Sequence, residues 1–102
     1  MEKVYAGKTV SVDKDGYLTD LSQWNKEIAM EIAKEEGVEL TEKHFLILNY
    51  LRERFAKGEA LSIRGINKSG IVEVKDFYQM FPGAPLKKST KIAGIPKPES
   101  CV

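Results

Sequence analysis

The pattern of apolar and polar positions divides the chain into short segments. Val4 to Ala6 and Thr9 to Val12 are two β-prone runs separated by Gly7 and Lys8. The second run closes on Asp13, Lys14, Asp15 and Gly16, a cluster of turn formers, so the pattern predicts a small hairpin. From Asn25 to about Glu36 the apolar residues Ile28, Ala29, Ile32 and Ala33 recur at helical spacing. Asn25 is placed to cap that helix, Gly37 to end it, and Trp24 to pack just before the cap. A longer helix is expected after Thr41, with Leu48, Leu51 and Phe55 on one face, Phe45, Ile47 and Tyr50 beside them, and Gly58 as its stop. Its length and apolar face mark it as the expected central core helix.

Past Gly58 the pattern breaks into smaller pieces. Ser62 is a candidate cap for a short helix running to about Lys68, ended by Gly70, and another short helix is expected over Lys75 to Phe81. Pro82 and Gly83 end that helix, and Pro85 suits the first turn of a last helix that contains Leu86, Thr90 and Ile92 and stops at Gly94. The residues from Ile95 to Val102 show no periodicity. Pro96 and Pro98 block helix and central strand, so an extended, flexible arm is expected, spanning about 25 Å at most over the seven residues from Gly94 to Cys101. The expected fold is mainly α: a small orthogonal helical bundle over residues 1–94 with an N-terminal β-hairpin, and a C-terminal arm over 95–102 that carries the cysteine.

Composition changes this picture in one respect. At 102 residues, 42% apolar and 30% charged, the chain reads as one small soluble domain with little room for a deep enclosed cleft. The formal charge of +1 is unevenly spread, because residues 84–102 hold Lys87, Lys88, Lys91 and Lys97 against Glu99 alone. That segment is therefore basic and the rest is mildly acidic. No apolar run approaches the roughly 20 residues of a membrane span, and the start MEKVYAGK does not resemble a signal peptide, so a cytoplasmic protein with no membrane partner is expected.

Few residues are candidates for chemistry. His44 is the only histidine and falls in the first turn of a helix, where a surface or half-packed residue is more usual than a base. Glu35, Glu36 and Glu53 read as solvated helix charges, with nothing to pair them across a site. Gly65 and Gly70 lack the spacing and the Lys-Ser or Lys-Thr pair of a phosphate loop, so no nucleotide or other cofactor is expected, and one Cys with one distant His offers no metal-ligand cluster of the usual spacing. Arg64 reads as a surface charge or as a partner for an anion or thiolate. Lys87, Lys88 and Lys91 read as the wet face of the last helix or as a docking patch for an acidic partner or RNA.

Cys101 differs from these in its place. It is the only cysteine, so it forms no internal disulfide, and it follows Pro96, Lys97, Pro98, Glu99 and Ser100 at the chain end, where burial is not expected. The prenylation signal is not matched, since only Val102 follows. Glu99 and the terminal carboxylate oppose ionisation of the thiol, whereas Lys97 favours it, so its reactivity is expected to depend on docking.

The ending LKKSTKIAGIPKPESCV, Leu86 to Val102, resembles the C-terminal signature of the DsrC and TusE family, which includes the gamma subunit associated with dissimilatory sulfite reductase. Gly16-Tyr17-Leu18, Gln23-Trp24, Thr41 to Phe55, Phe77 to Gly83 and Pro85 fall in the family's order. The resemblance implies a helical fold with a small hairpin and a flexible arm, and it implies that Cys101 carries sulfur as a persulfide. Two departures stand out. DsrC proteins that serve sulfite reduction have a second cysteine separated from the first by ten residues, and here that position is Thr90. The single thiol is similar to TusE-type relays, which hand persulfide sulfur toward thiolation of tRNA. The stretch from Arg64 to Phe77 is also several residues shorter than the family's usual form.

The expected function is thus a sulfurtransferase-like carrier rather than an autonomous catalyst, with sulfur-donor and sulfur-acceptor proteins as partners. Arg64, Lys87, Lys88, Lys91 and Lys97 are candidates for docking or thiolate support. Two alternatives belong to other classes: a helix-turn-helix nucleic-acid-binding module, and a regulatory subunit that docks on a sulfite-reductase-like complex without moving sulfur.

Overall fold

The computed structural model describes residues 1–59 and 63–96. The expected cap at Ser62 and the sequence from Lys97 on, including Cys101, lie outside the described residues. Two antiparallel strands, β1 (Glu2–Tyr5) and β2 (Lys8–Ser11), open the chain, with Glu2 opposite Ser11 and Tyr5 opposite Lys8. The turn is centred on Ala6 and Gly7, one residue earlier than the sequence suggests, and both have positive φ, 51° and 77°. A two-residue loop matches the twist of its strands when both central residues are left-handed, and glycine is favoured at the second. Tyr5, Val10 and Val12 point into the core. A bridge between Val12 and Leu18 then closes the following loop, where Asp13 Oδ1 accepts from the N–H groups of Asp15 and Tyr17.

After a single 3-10 turn at Leu21–Gln23, which the sequence does not announce, five helices follow among the described residues. The first, α1 (Lys26–Glu35), starts at Asn25, whose side chain accepts from Ile28 N–H at 2.9 Å, and it buries Ile28, Ala29, Ile32 and Ala33. The second, α2 (Glu42–Ala56), starts at Thr41 and buries His44, Ile47, Leu48 and Leu51. Three short helices complete the domain: α3 (Ile63–Lys68), α4 (Val74–Met80) and α5 (Pro85–Ile92). Pro85 occupies the first turn of α5, where its missing N–H has no intrahelical acceptor to lose.

The centre of the bundle is α5 and not the longer α2. It packs against α1, α2 and α4, while β1 lies on α1 and α3 on α4. Periodicity underrates α5 because two of its buried residues are polar: Ser89 and Thr90 are both fully buried. Their hydroxyls donate to Leu86 O at 3.1 and 2.8 Å, inside their own helix, and so reach the core without an unmet hydrogen bond. The packed core continues one residue past Gly94, since Ile95 is fully buried. Among the described residues no helix is long and apolar enough to cross a membrane.

Candidate functional site

The functional question centres on the place where the chain leaves α5, because the cysteine lies beyond it in sequence. A helix C-terminus leaves four carbonyls without intrahelical partners. Here all four are occupied. Ile95 N–H donates to Thr90 O and Gly94 N–H to Lys91 O, each at 3.2 Å, which is the Schellman closure that a left-handed glycine permits. The other two carbonyls are taken by side chains from distant elements. Trp24 Nε1 donates to Ile92 O at 2.8 Å, and Arg52 Nη1 donates to Ala93 O at 2.8 Å.

These two side chains also hold each other. The Arg52 guanidinium carbon lies 4.3 Å from the centre of the Trp24 ring, a stacked cation–π arrangement. Burial pushes the Arg52 guanidinium below its ordinary value, yet a guanidinium remains charged and suits the negative end of α5. Gly94, at φ 71°, completes the contact. A β-carbon there would lie 2.7 Å from Trp24 Cγ and 2.8 Å from Trp24 Cβ, so the backbone passes against the indole where no side chain fits.

Of the sequence candidates, Cys101 and Lys97 lie outside the described residues. Lys87, Lys88 and Lys91 do come together, lining a shallow cleft of about 250 Å³ with Asp15, Tyr17, Ala84 and Glu36. Two of the three are drawn inward. Lys91 Nζ lies 3.4 Å from Glu36 Oε2, and Lys88 Nζ donates to Glu36 O at 3.3 Å, so both neutralise the C-terminal end of α1. Glu36 is therefore a tertiary contact and not the solvated charge its helix position suggests. Tyr17 hydroxyl donates to Lys87 O at 3.1 Å. Burial raises the affinity of that phenol for its proton, against the opposite pull of its hydrogen bond with Thr90.

Arg64 is exposed on α3. His44 is more deeply placed than its position predicts, at 7% exposure, and its role is structural. Its Nδ1 accepts from Thr41 N–H at 3.2 Å, so the ring proton sits on Nε2, which donates to Met80 O at 3.1 Å. It thereby fills the capping-box place that glutamate or glutamine usually takes, and it sets its edge on the Phe81 ring. Glu35 also departs from the solvated reading. It accepts from Tyr5 hydroxyl at 2.9 Å and pairs with Lys3 at 3.2 Å, pinning the hairpin to α1. Glu53 remains a surface charge paired with Lys57. On α4, Lys75 stands beside Asp76, a nearly neutral surface for a nucleic-acid backbone. Among the described residues no cluster of three His, Cys, Asp or Glu could hold a metal ion.

Sequence reasoning missed the contact between Trp24 and Arg52 at the end of α5. One signal was present: Arg52 directly follows the core residue Leu51, and a cation placed there must find an acceptor once the helix packs.

The fold defines a class: a small, mainly helical domain with an N-terminal two-stranded hairpin. A family model described as DsrC like protein matches residues 4–102, and the chain belongs to this family. Sulfurtransferase TusE of Salmonella typhimurium is 36% identical over 107 aligned positions, covering 97% of this chain and 98% of that protein. Sulfurtransferase TusE of Escherichia coli is 34% identical with the same coverage. Among solved structures, the oxidized gamma-subunit of the dissimilatory sulfite reductase (DsrC) from Archaeoglobus fulgidus superposes with a TM-score of 0.85 at 36% identity. Allochromatium vinosum DsrC superposes with 0.83 at 34%, and in both cases the two chains are covered fully.

Proposed function

We propose that this protein is a sulfur-relay carrier whose accepting group is the Cys101 thiolate. The observation that carries the reading is the match, along nearly the whole chain, to relatives named as sulfurtransferases, joined to a sequence with one thiol next to its C-terminus. The step is an exchange. The Cys101 thiolate attacks the outer sulfur of a donor persulfide R–S–SH, a new S–S bond forms on Cys101, the donor S–S bond breaks, and the donor leaves as R–S⁻. No oxidant is needed, because the sulfur moves with its oxidation level unchanged. The reverse exchange on an acceptor thiolate restores Cys101.

Thr90 supports the relay over the two-cysteine chemistry of sulfite-reductase partners. It stands at the position of their second cysteine and is a fully buried hydroxyl bound to Leu86 O. With one thiol per chain, the loaded sulfur is handed to another molecule and not to an internal cysteine. The partners are thus a persulfide donor and a thiol acceptor, met in the cytoplasm, where a free thiol persists. Lys87 and Lys97 suit docking against acidic surfaces near the arm.

Incubation with cysteine persulfide followed by intact-mass measurement tests the reading. Wild type should gain one sulfur atom per chain, reversibly on adding a thiol, and Cys101→Ala should gain none. Equal uptake by both, or none by either, sinks the proposal.

A further inference from the structure

The central helix is buried along most of its length, and the strip it leaves open is cationic. Pro85, Leu86, Ser89, Thr90 and Ile92 of α5 are buried, whereas Lys87, Lys88 and Lys91 line the shallow cleft that Asp15, Tyr17 and Glu36 complete. Two of the three ammoniums are already held. Lys91 Nζ pairs with Glu36 Oε2 and Lys88 Nζ donates to Glu36 O, so two flexible stems are fixed by the fold before any partner arrives. A partner that binds them meets a smaller cost of side-chain ordering. The Lys91 head lies against bare backbone, because a β-carbon at Gly16 would come within 3.1 Å of its Cε and Nζ.

The cleft keeps unused hydrogen-bonding capacity. An ammonium carries three N–H donors, and a single bond to Glu36 exhausts neither Lys88 nor Lys91. Lys87 Nζ has no partner among the described residues, while the Lys87 carbonyl is tied to Tyr17 hydroxyl. One open cation therefore stands beside two that are oriented and still able to donate.

We infer that this cleft receives the carboxylate side chains of an acidic segment on a partner protein, with Lys87 as the open cation and Lys88 and Lys91 adding the donors that Glu36 leaves. The inference rests on the carrier reading only for why such a partner exists. Charge decides for an acidic protein segment and against a nucleic acid. A nucleic-acid backbone carries a phosphate at every nucleotide and is tracked by cations spread along its path. Here the three cations share one cleft of about 250 Å³, flanked by Asp15, the Glu36 carboxylate and the carbonyl end of α1. Neighbouring phosphates would meet those negative flanks, whereas a single carboxylate on its own stem enters between them. The cleft is also smaller than the roughly 300–1,000 Å³ of ordinary small-molecule pockets, which suits a side-chain head.

Nuclear magnetic resonance titration of the full, ¹⁵N-labelled chain with acetylated and amidated hexaglutamate at low ionic strength tests the inference. Amide shifts should concentrate on Asp15 to Leu18, Glu36 and Lys87 to Lys91, should saturate, and should fade as salt is added. Hexaglutamine should cause none. Lys87→Ala should weaken binding by about threefold, and Lys87→Glu should abolish saturation. Lys8→Ala, at an exposed lysine of β2, should bind as wild type does. Amide dispersion in each spectrum confirms that the variant is folded. Shifts spread over all lysines overturn the inference, as does an equal loss in Lys8→Ala. Tighter binding of hexauridylate or of sulfate at the same residues also overturns it, since the cleft would then be a nucleic-acid or free-anion site. Uptake from cysteine persulfide, which needs no protein partner, reports on the carrier reading separately. If wild type takes up no sulfur while the cleft binds hexaglutamate, that reading falls and the acidic-segment pocket stands. Normal uptake with no hexaglutamate bound at the cleft overturns the pocket alone.

Discussion

Gly94→Ala offers the sharpest test of the packing at the root of the tail, because the chain contains its own control. Gly37 and Gly94 have nearly the same backbone conformation, φ 73° and 71°, and both follow a helix end. They differ in their surroundings: a β-carbon at 37 meets nothing within 4 Å, whereas one at 94 lies 2.7 Å from Trp24 Cγ. The left-handed conformation costs alanine about 1–2 kcal/mol. Loss of freedom in the unfolded chain offsets about 0.4–1 kcal/mol of that. Gly37→Ala should therefore destabilise by about 1 kcal/mol. Gly94→Ala carries the same backbone term plus about 1–3 kcal/mol for forcing atoms into a packed site, for a total of about 2–4 kcal/mol. The indole must move to admit the methyl group, and its hydrogen bond to Ile92 O then weakens as well. Urea denaturation followed by circular dichroism measures both losses, and a difference of about 2 kcal/mol corresponds to roughly 8–16 °C in Tm for a domain of this size. Trp24 is the only tryptophan, so its emission should change in folded Gly94→Ala and stay as in wild type in Gly37→Ala. Equal destabilisation at the two positions would refute the claim that the indole closes the space at 94.

Two further outcomes follow from the hairpin and its anchor. Ala6 holds φ 51° at the first centre of the turn, so Ala6→Asn, which tolerates that region, should raise the urea midpoint by the equivalent of about 0.5–1 kcal/mol; no change would mean the turn carries no strain. Partial burial pushes the Glu35 carboxyl up, but the hydrogen bonds from Tyr5 and Lys3 outweigh it and hold the carboxyl below its ordinary value. Its contribution is complete above the unfolded carboxylate pKa and is lost as pH falls through the lower, folded one. Tyr5→Phe should therefore destabilise most at neutral pH and less in acid, by under about 1 kcal/mol given the half-exposed pair, and a loss independent of pH would refute the coupling.

Local signals carried most of the architecture. Asn25, Thr41 and Pro85 begin helices where their chemistry says they should, and Gly37, Gly58, Gly70 and Gly94 follow helix ends in the left-handed conformation. These are properties of a few consecutive residues, so a sequence displays them. What it hid was tertiary. The centrality of α5 depends on Ser89 and Thr90 turning their hydroxyls back onto Leu86 O, and polarity by residue type points the other way. His44 appears as an isolated polar residue until Met80, 36 positions later, supplies its second partner. The Trp24, Arg52 and Ala93 contacts join residues from three parts of the chain, and no window along the sequence contains them.

The described side chains also say something about where the chemistry of a carrier must come from. No buried side-chain nitrogen or oxygen among the described residues lacks a hydrogen-bond partner. Both His44 nitrogens are engaged, Glu36 is held by Lys91, and Arg52 is committed to Ala93 O and the indole. A general base or an activating cation drawn from this set would have to abandon a contact that holds the fold, at about 1 kcal/mol or more for each bond broken. In the carrier reading, these buried groups therefore act as scaffold, and activation of Cys101 falls to surface cations such as Arg64 and Lys87 or to the partner.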